Sequence, residues 1–105
     1  VIDEKRAEQA IHNLASTDEP YAAAKAQVKG LEHRLKIIKA QAFLEAQGTV
    51  AEREARAQTD RAFVKMVDEY QNAVLEMETL GAKRKREELI LEFWRSVNAN
   101  RRVGG

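Results

Sequence analysis

Cysteine is absent from this chain of 105 residues, proline occurs once, and glycine five times. Without thiols there is no disulfide framework, no zinc ribbon and no cysteine nucleophile. Aromatic residues make up only 6%, too few for an aromatic-rich core. Long apolar runs are missing too. The longest are three or four residues, against the roughly 20 that a membrane-spanning helix needs, so no membrane partner is expected. Charge of one sign is also lacking: 18 cations against 17 anions leave a net +1, and the chain as a whole is no polyelectrolyte. The first residues include Asp3, Glu4, Lys5 and Arg6 rather than the apolar stretch of a signal peptide, which makes a cytoplasmic protein the expectation.

What remains is helix-forming. Charged residues account for 33%, and 17 residues are alanine, which leaves 29 larger apolar or aromatic side chains. That composition suits long helices with narrow seams and is thin for a deep core. The clearest local signal is LEAQGTVAERE at positions 44–54. Gly48 stands where a helix needs a left-handed residue to stop, and Thr49 with Glu52 three residues on forms a capping box that starts the next helix. A stop directly before a start is expected to be a tight turn between antiparallel helices at Gly48–Thr49.

Before the turn, Tyr21, Ala24, Val28, Leu31, Leu35, Ile38 and Ala42 recur at alternating spacings of three and four, a heptad edge that Ile37, Phe43 and Leu44 widen. After it, Phe63, Met66, Tyr70, Ala73, Met77 and Leu80 continue a seam that Arg84 and Glu87 interrupt before Leu91 and Trp94 resume it. Pro20 suits the first turn of a helix, with Ser16, Thr17 and Asp18 as candidate caps. The expected organisation is one helical domain over 1–105: helices at about 2–15, 19–47 and 50–98, and a tail at 99–105. Residues 1–20, 21–50, 51–82 and 83–105 carry net charges of −3, +3, −3 and +4. Antiparallel pairing about the turn would set opposite signs facing each other. The fold class is therefore all-α, a coiled-coil-like antiparallel hairpin with an additional short N-terminal helix. A three-helix bundle, with the first helix folded back on the second, is the alternative.

Catalytic signatures are missing. The residues three before His12 and His33 are Gln9 and Gly30, so the Glu-x-x-His pattern of bundle di-metal sites is not formed. Ser16 and Ser96 lie in no nucleophile-elbow context, and no glycine-rich phosphate loop follows a strand. The expectation is a protein that is not an enzyme, with no metal and no cofactor.

The most informative stretch is KRKREELILEFWRSVNANRR at 83–102. Successive helical residues turn by about 100°, so Lys83, Arg84, Lys85 and Arg86 point in four directions, while Leu89, Ile90, Leu91, Phe93, Trp94 and Val97 span an arc of about 200°. One partner helix cannot cover that arc, and an uncovered patch with tryptophan and phenylalanine marks an interface. Leu89, Ile90, Phe93, Trp94 and Val97 are the candidate partner-binding residues, for a homodimer or homo-oligomer or for another protein. Arg84, Lys85, Arg86, Arg95, Arg101 and Arg102 are the candidate phosphate contacts of the alternative function, non-specific nucleic-acid binding.

The ending FWRSVNANRR, with QGTVAEREARAQ upstream, resembles small helical proteins of bacteriophages and prophages, often from early or recombination genes. The resemblance implies a non-catalytic accessory factor in the bacterial host cytoplasm that assists or inhibits a DNA-metabolism or host-defence protein.

Overall fold

A computed structural model of the chain describes residues 2–104, and side chains from 2 to 101. It is all-helical, without a strand among the described residues: α1 spans Glu4–Glu45, α2 Val50–Thr59 and α3 Arg61–Gly104. The long helices α1 and α3 pack against each other. Their boundaries differ from expectation in three places, each for a local reason.

The expected break at residues 16–18 is not there, and α1 carries Pro20 in its interior. A proline inside a helix removes one backbone donor and crowds the preceding turn. The hydroxyls that were candidate caps instead bond back to a carbonyl of α1 itself. Ser16 Oγ donates to the Asn13 carbonyl at 3.1 Å, and Thr17 Oγ1 donates to the same carbonyl at 2.7 Å. Arg84 adds a brace from α3, donating to the Leu14 carbonyl at 2.9 Å and to Thr17 Oγ1 at 2.8 Å. At the start of α1, Asp3 caps the helix by accepting the Arg6 N–H at 2.8 Å.

A continuous helix over 50–98 was expected, but Asp60 divides it. Its backbone leaves helical geometry at ψ 134°, and its carboxylate accepts the Phe63 N–H at 3.1 Å. Asp60 thus ends α2 and caps α3, a role its residue type favours. The expected tail at 99–105 is helical as far as Gly104, since no proline or glycine lies between Gly81 and Gly104 to stop it.

Between α1 and α2, Gly48 takes φ 118°, the left-handed side that glycine adopts freely. A Cβ at Gly48 would come within 2.5 Å of Glu52 Oε2. Thr49 caps α2 by accepting the Glu52 N–H at 3.2 Å, and its hydroxyl donates to the Glu52 carboxylate at 3.2 Å. Arg53 closes the end of α1 by donating Nε to the carbonyls of Phe43 and Ala46, with its guanidinium 4.7 Å from the Phe43 ring.

Internal contacts gather into two compact units. The first comprises Val1–Ala23 and Glu78–Gly105, with Ala7, Ala10 and Leu91 buried and Leu14, Ile90 and Trp94 packed around them. The second comprises Ala24–Met77, with Val28, Leu31 and Ala73 buried beneath Met66, Tyr70, Val74 and Met77. Both α1 and α3 contribute to each unit. Of the eight buried hydrophobic residues among those described, five are alanine, so small side chains make up most of the seams and several large ones are left exposed.

Candidate protein-interaction face

The apolar arc of 83–102 is divided by its packing. Leu91 is buried, and Ile90 and Trp94 are half-buried against the Ala7–Ala10 side of α1. Alanines at 7 and 10 let the two helices approach closely, and they offer little width to cover neighbouring positions on α3. Leu89 and Phe93, one turn apart, are left 51% and 58% exposed. Val97 is half-buried. With Trp94, Asn98 and Arg101 it borders a cleft of about 560 Å³ whose other wall is Ile2, Asp3 and Glu4. The five candidate partner-binding residues therefore fall into two groups: a solvent-facing pair, and three that border the first unit's core or cleft.

The cations divide as well. Arg84 is consumed internally: besides its bonds to Leu14 and Thr17, it pairs with Asp18 at 2.6 Å and stands 5.4 Å from the Tyr21 ring centre. Lys85 lies 3.8 Å from Glu88 on the exposed surface. Lys83, Arg86, Arg95 and Arg101 are exposed, and the Arg102 side chain lies outside the described residues. Lys83 and Arg86 border one cleft with Arg84, and Arg101, about five turns beyond Lys83, returns to the same side of the helix, whereas Arg95 lies about 120° away.

Glu87, which interrupts the apolar seam in sequence, forms an ionic cross-link. Its Oε2 lies 2.9 Å from Arg6 Nη1, and its Oε1 accepts from Arg6 Nη2 at 3.0 Å and Asn13 Nδ2 at 3.2 Å. The two atoms of the 2.9 Å pair have no other partner. The Arg6 hydrogen bond, aided by that from Asn13, holds the Glu87 carboxyl below its ordinary value, against an opposing effect of burial. The same contact raises the Arg6 guanidinium further, so it stays charged. Sequence reading did not identify this cross-link. Its only trace was a charged residue at a seam position, where burial demands a partner.

A second surface lies in the second unit. On α1, Lys36, Lys39, Ala40, Phe43 and Leu44, with Glu54 and Ala57 of α2, line a cleft of about 510 Å³. Its counterpart in the sequence was the apolar widening at Phe43 and Leu44, which had no partner assigned. Among the described residues no group of three or more histidine, aspartate or glutamate side chains is placed to hold a metal ion, and His12 and His33 are exposed. No described helix is long and apolar enough to cross a membrane. Compared with protein-family models, curated proteins and solved structures, the chain gives no match.

Proposed function

We propose that this chain is a non-catalytic protein-interaction module that works as a homo-oligomer and docks a second protein on the outer face of α3. The reading takes α1 and α3 as the antiparallel arms of one hairpin. Within the first unit the contacts Asn13 with Glu87, Thr17 with Arg84 and Tyr21 with Gly81 support that direction, since rising numbers on α1 meet falling numbers on α3. The observation that carries the docking role is the exposure of Leu89 and Phe93 on a helix whose opposite side is already packed. Two large apolar side chains held one turn apart on a rigid helix form an anchor of the kind that fits a partner's groove. The phage-type accessory role, in the cytoplasm of a bacterial host and directed at a DNA-metabolism or host-defence protein, is the setting in which such a module acts.

Nucleic-acid binding through 83–102 is the weaker reading, because Arg84 is engaged within the unit and Lys85 lies beside Glu88. A single pair of measurements separates the two. Leu89→Glu with Phe93→Glu should abolish capture of a defined partner from a bacterial lysate while leaving helicity unchanged. Recovery of the same partner by the double variant would sink the docking face. Conversely, salt-sensitive binding of DNA that Arg86→Ala, Arg95→Ala and Arg101→Ala together remove would establish the nucleic-acid reading in its place.

A further inference from the structure

We infer that the lysine-rimmed apolar groove of the second unit is where two copies of this chain associate, face to face about a two-fold axis. This rests on the reading of the chain as a homo-oligomer and names the surface that makes it one. The groove has an apolar floor of Ala40, Phe43 and Leu44 on α1 and Ala57 on α2. Lys36 and Lys39 are shared with an adjoining cleft of about 310 Å³, lined by Leu35, Phe63 and Tyr70, so the two clefts form one continuous surface. Leu44 is 71% exposed, the highest value among the exposed large apolar residues. That is the residue a second copy would cover.

The occupant follows from the charges at the rim. Lys36 and Lys39 stand on it with Glu54 beside the first cleft and Glu32 beside the second. None of the four belongs to an ion pair among the described residues, and Lys39 stands 6.0 Å from the Phe63 ring centre. A rim of a single sign would repel its own copy. A rim with two lysines and two glutamates attracts it in the arrangement where the two-fold axis sets the lysines of each copy against the glutamates of the other. A polyanion is disfavoured by the same arrangement, since its phosphates would meet two carboxylates beside the two lysines. The apolar floor then supplies affinity while the rim sets the pairing direction.

Charge exchange tests this. Two double variants, K36E/K39E and E32K/E54K, are made in the full chain and followed by sedimentation equilibrium at low salt, with far-ultraviolet circular dichroism to verify helicity. Wild type should sediment at twice the 11.9 kDa chain mass. Each variant alone places like charges across the axis and should associate at least about tenfold more weakly, while an equimolar mixture of the two should recover association to within about threefold of wild type. Leu44→Ser, an exposed change with little effect on the monomer's own packing, should weaken association without altering its salt dependence. If wild type associates and both charge variants match it, the interface lies elsewhere; the inference falls and the oligomeric reading stands. If the variants dissociate but the mixture does not recover, the charges do not meet across a two-fold and the inference falls. A wild-type monomer at every concentration overturns both.

Discussion

At the scale of single residues, Glu87 shows how a charge at a seam position is made compatible with packing. Its carboxylate is 14% exposed and shares one oxygen between Arg6 and Asn13 while the other faces Arg6 Nη1. The hydrogen bond from Arg6 favours the ionised form, so the folded-state value lies below the usual glutamate value of about 4.3. A carboxyl depressed on folding contributes stability that is present above its unfolded value and is lost as pH falls through the folded one. Wild type should therefore lose melting temperature more steeply than Glu87→Gln as the pH falls through the usual glutamate value of about 4.3 and below it. The two curves are expected to be furthest apart near neutrality and to converge in acid. Parallel curves over that window would show that the cross-link contributes nothing through its charge. Arg6 gives no counterpart at alkaline pH, because its shift is upward from a value already beyond the working range.

At the scale of elements, the proposal to test is that Pro20 and Arg84 act together. A proline in a helix interior costs about 3 kcal/mol relative to alanine, through the lost donor and the crowded carbonyl. Here Arg84 reaches across to the Leu14 carbonyl, Thr17 and Asp18, on the turn just before Pro20. Pro20→Ala is expected to raise stability by about 1–3 kcal/mol, and Arg84→Met to lower it by about 1–3 kcal/mol through the loss of charged hydrogen bonds to groups it partly shields. If the brace exists to support the proline turn, Arg84→Met should cost less in the Pro20→Ala background, as read by urea unfolding in a double-mutant cycle. Additive effects would make them neighbours without coupling. The same pair explains what was legible in advance. Heptad spacing and the Gly48–Thr49 signal led to long helices on either side of residues 46–49. The proline misled, because its local rule predicts a helix start, whereas α1 continues through it and the side chain bonded to the preceding residues, Arg84, lies 64 positions along the chain. Asp60 was missed for the opposite reason: its capping role is local, but no proline or glycine marks it and the apolar seam was followed only from Phe63 onward.

At the scale of the whole chain, the question is where the apolar surface goes. The buried set is Ala7, Ala10, Ala24, Val28, Leu31, Ala57, Ala73 and Leu91, while Ile11, Ile37, Leu44, Val50, Val64, Leu75, Leu89 and Phe93 are exposed. Alanine burial yields little: at about 25 cal/mol per Å², its small side chain contributes well under the 1.5–3 kcal/mol of a buried leucine or phenylalanine. From sequence, the 200° arc around Leu91 already implied that one helix could not cover it. Which members would be left outside depended on the small residues opposite them, which periodicity does not weigh. Under the proposed self-association, a chain that exposes these eight large apolar side chains would gain stability when copies meet, and mass action would tie unfolding to concentration. For a dimer unfolding to separate chains, a hundredfold rise in protein concentration adds about 2.7 kcal/mol of apparent stability per mole of dimer. For a chain of about 100 residues this moves the melting temperature upward by several degrees, since each 1 kcal/mol is worth about 4–8 °C per folding unit. The measurement is thermal unfolding followed at 222 nm from about 1 to about 100 µM. A rising melting temperature is expected, and Leu44→Ser should flatten the rise. A melting temperature independent of concentration would mean that the small-residue seams suffice for one copy alone.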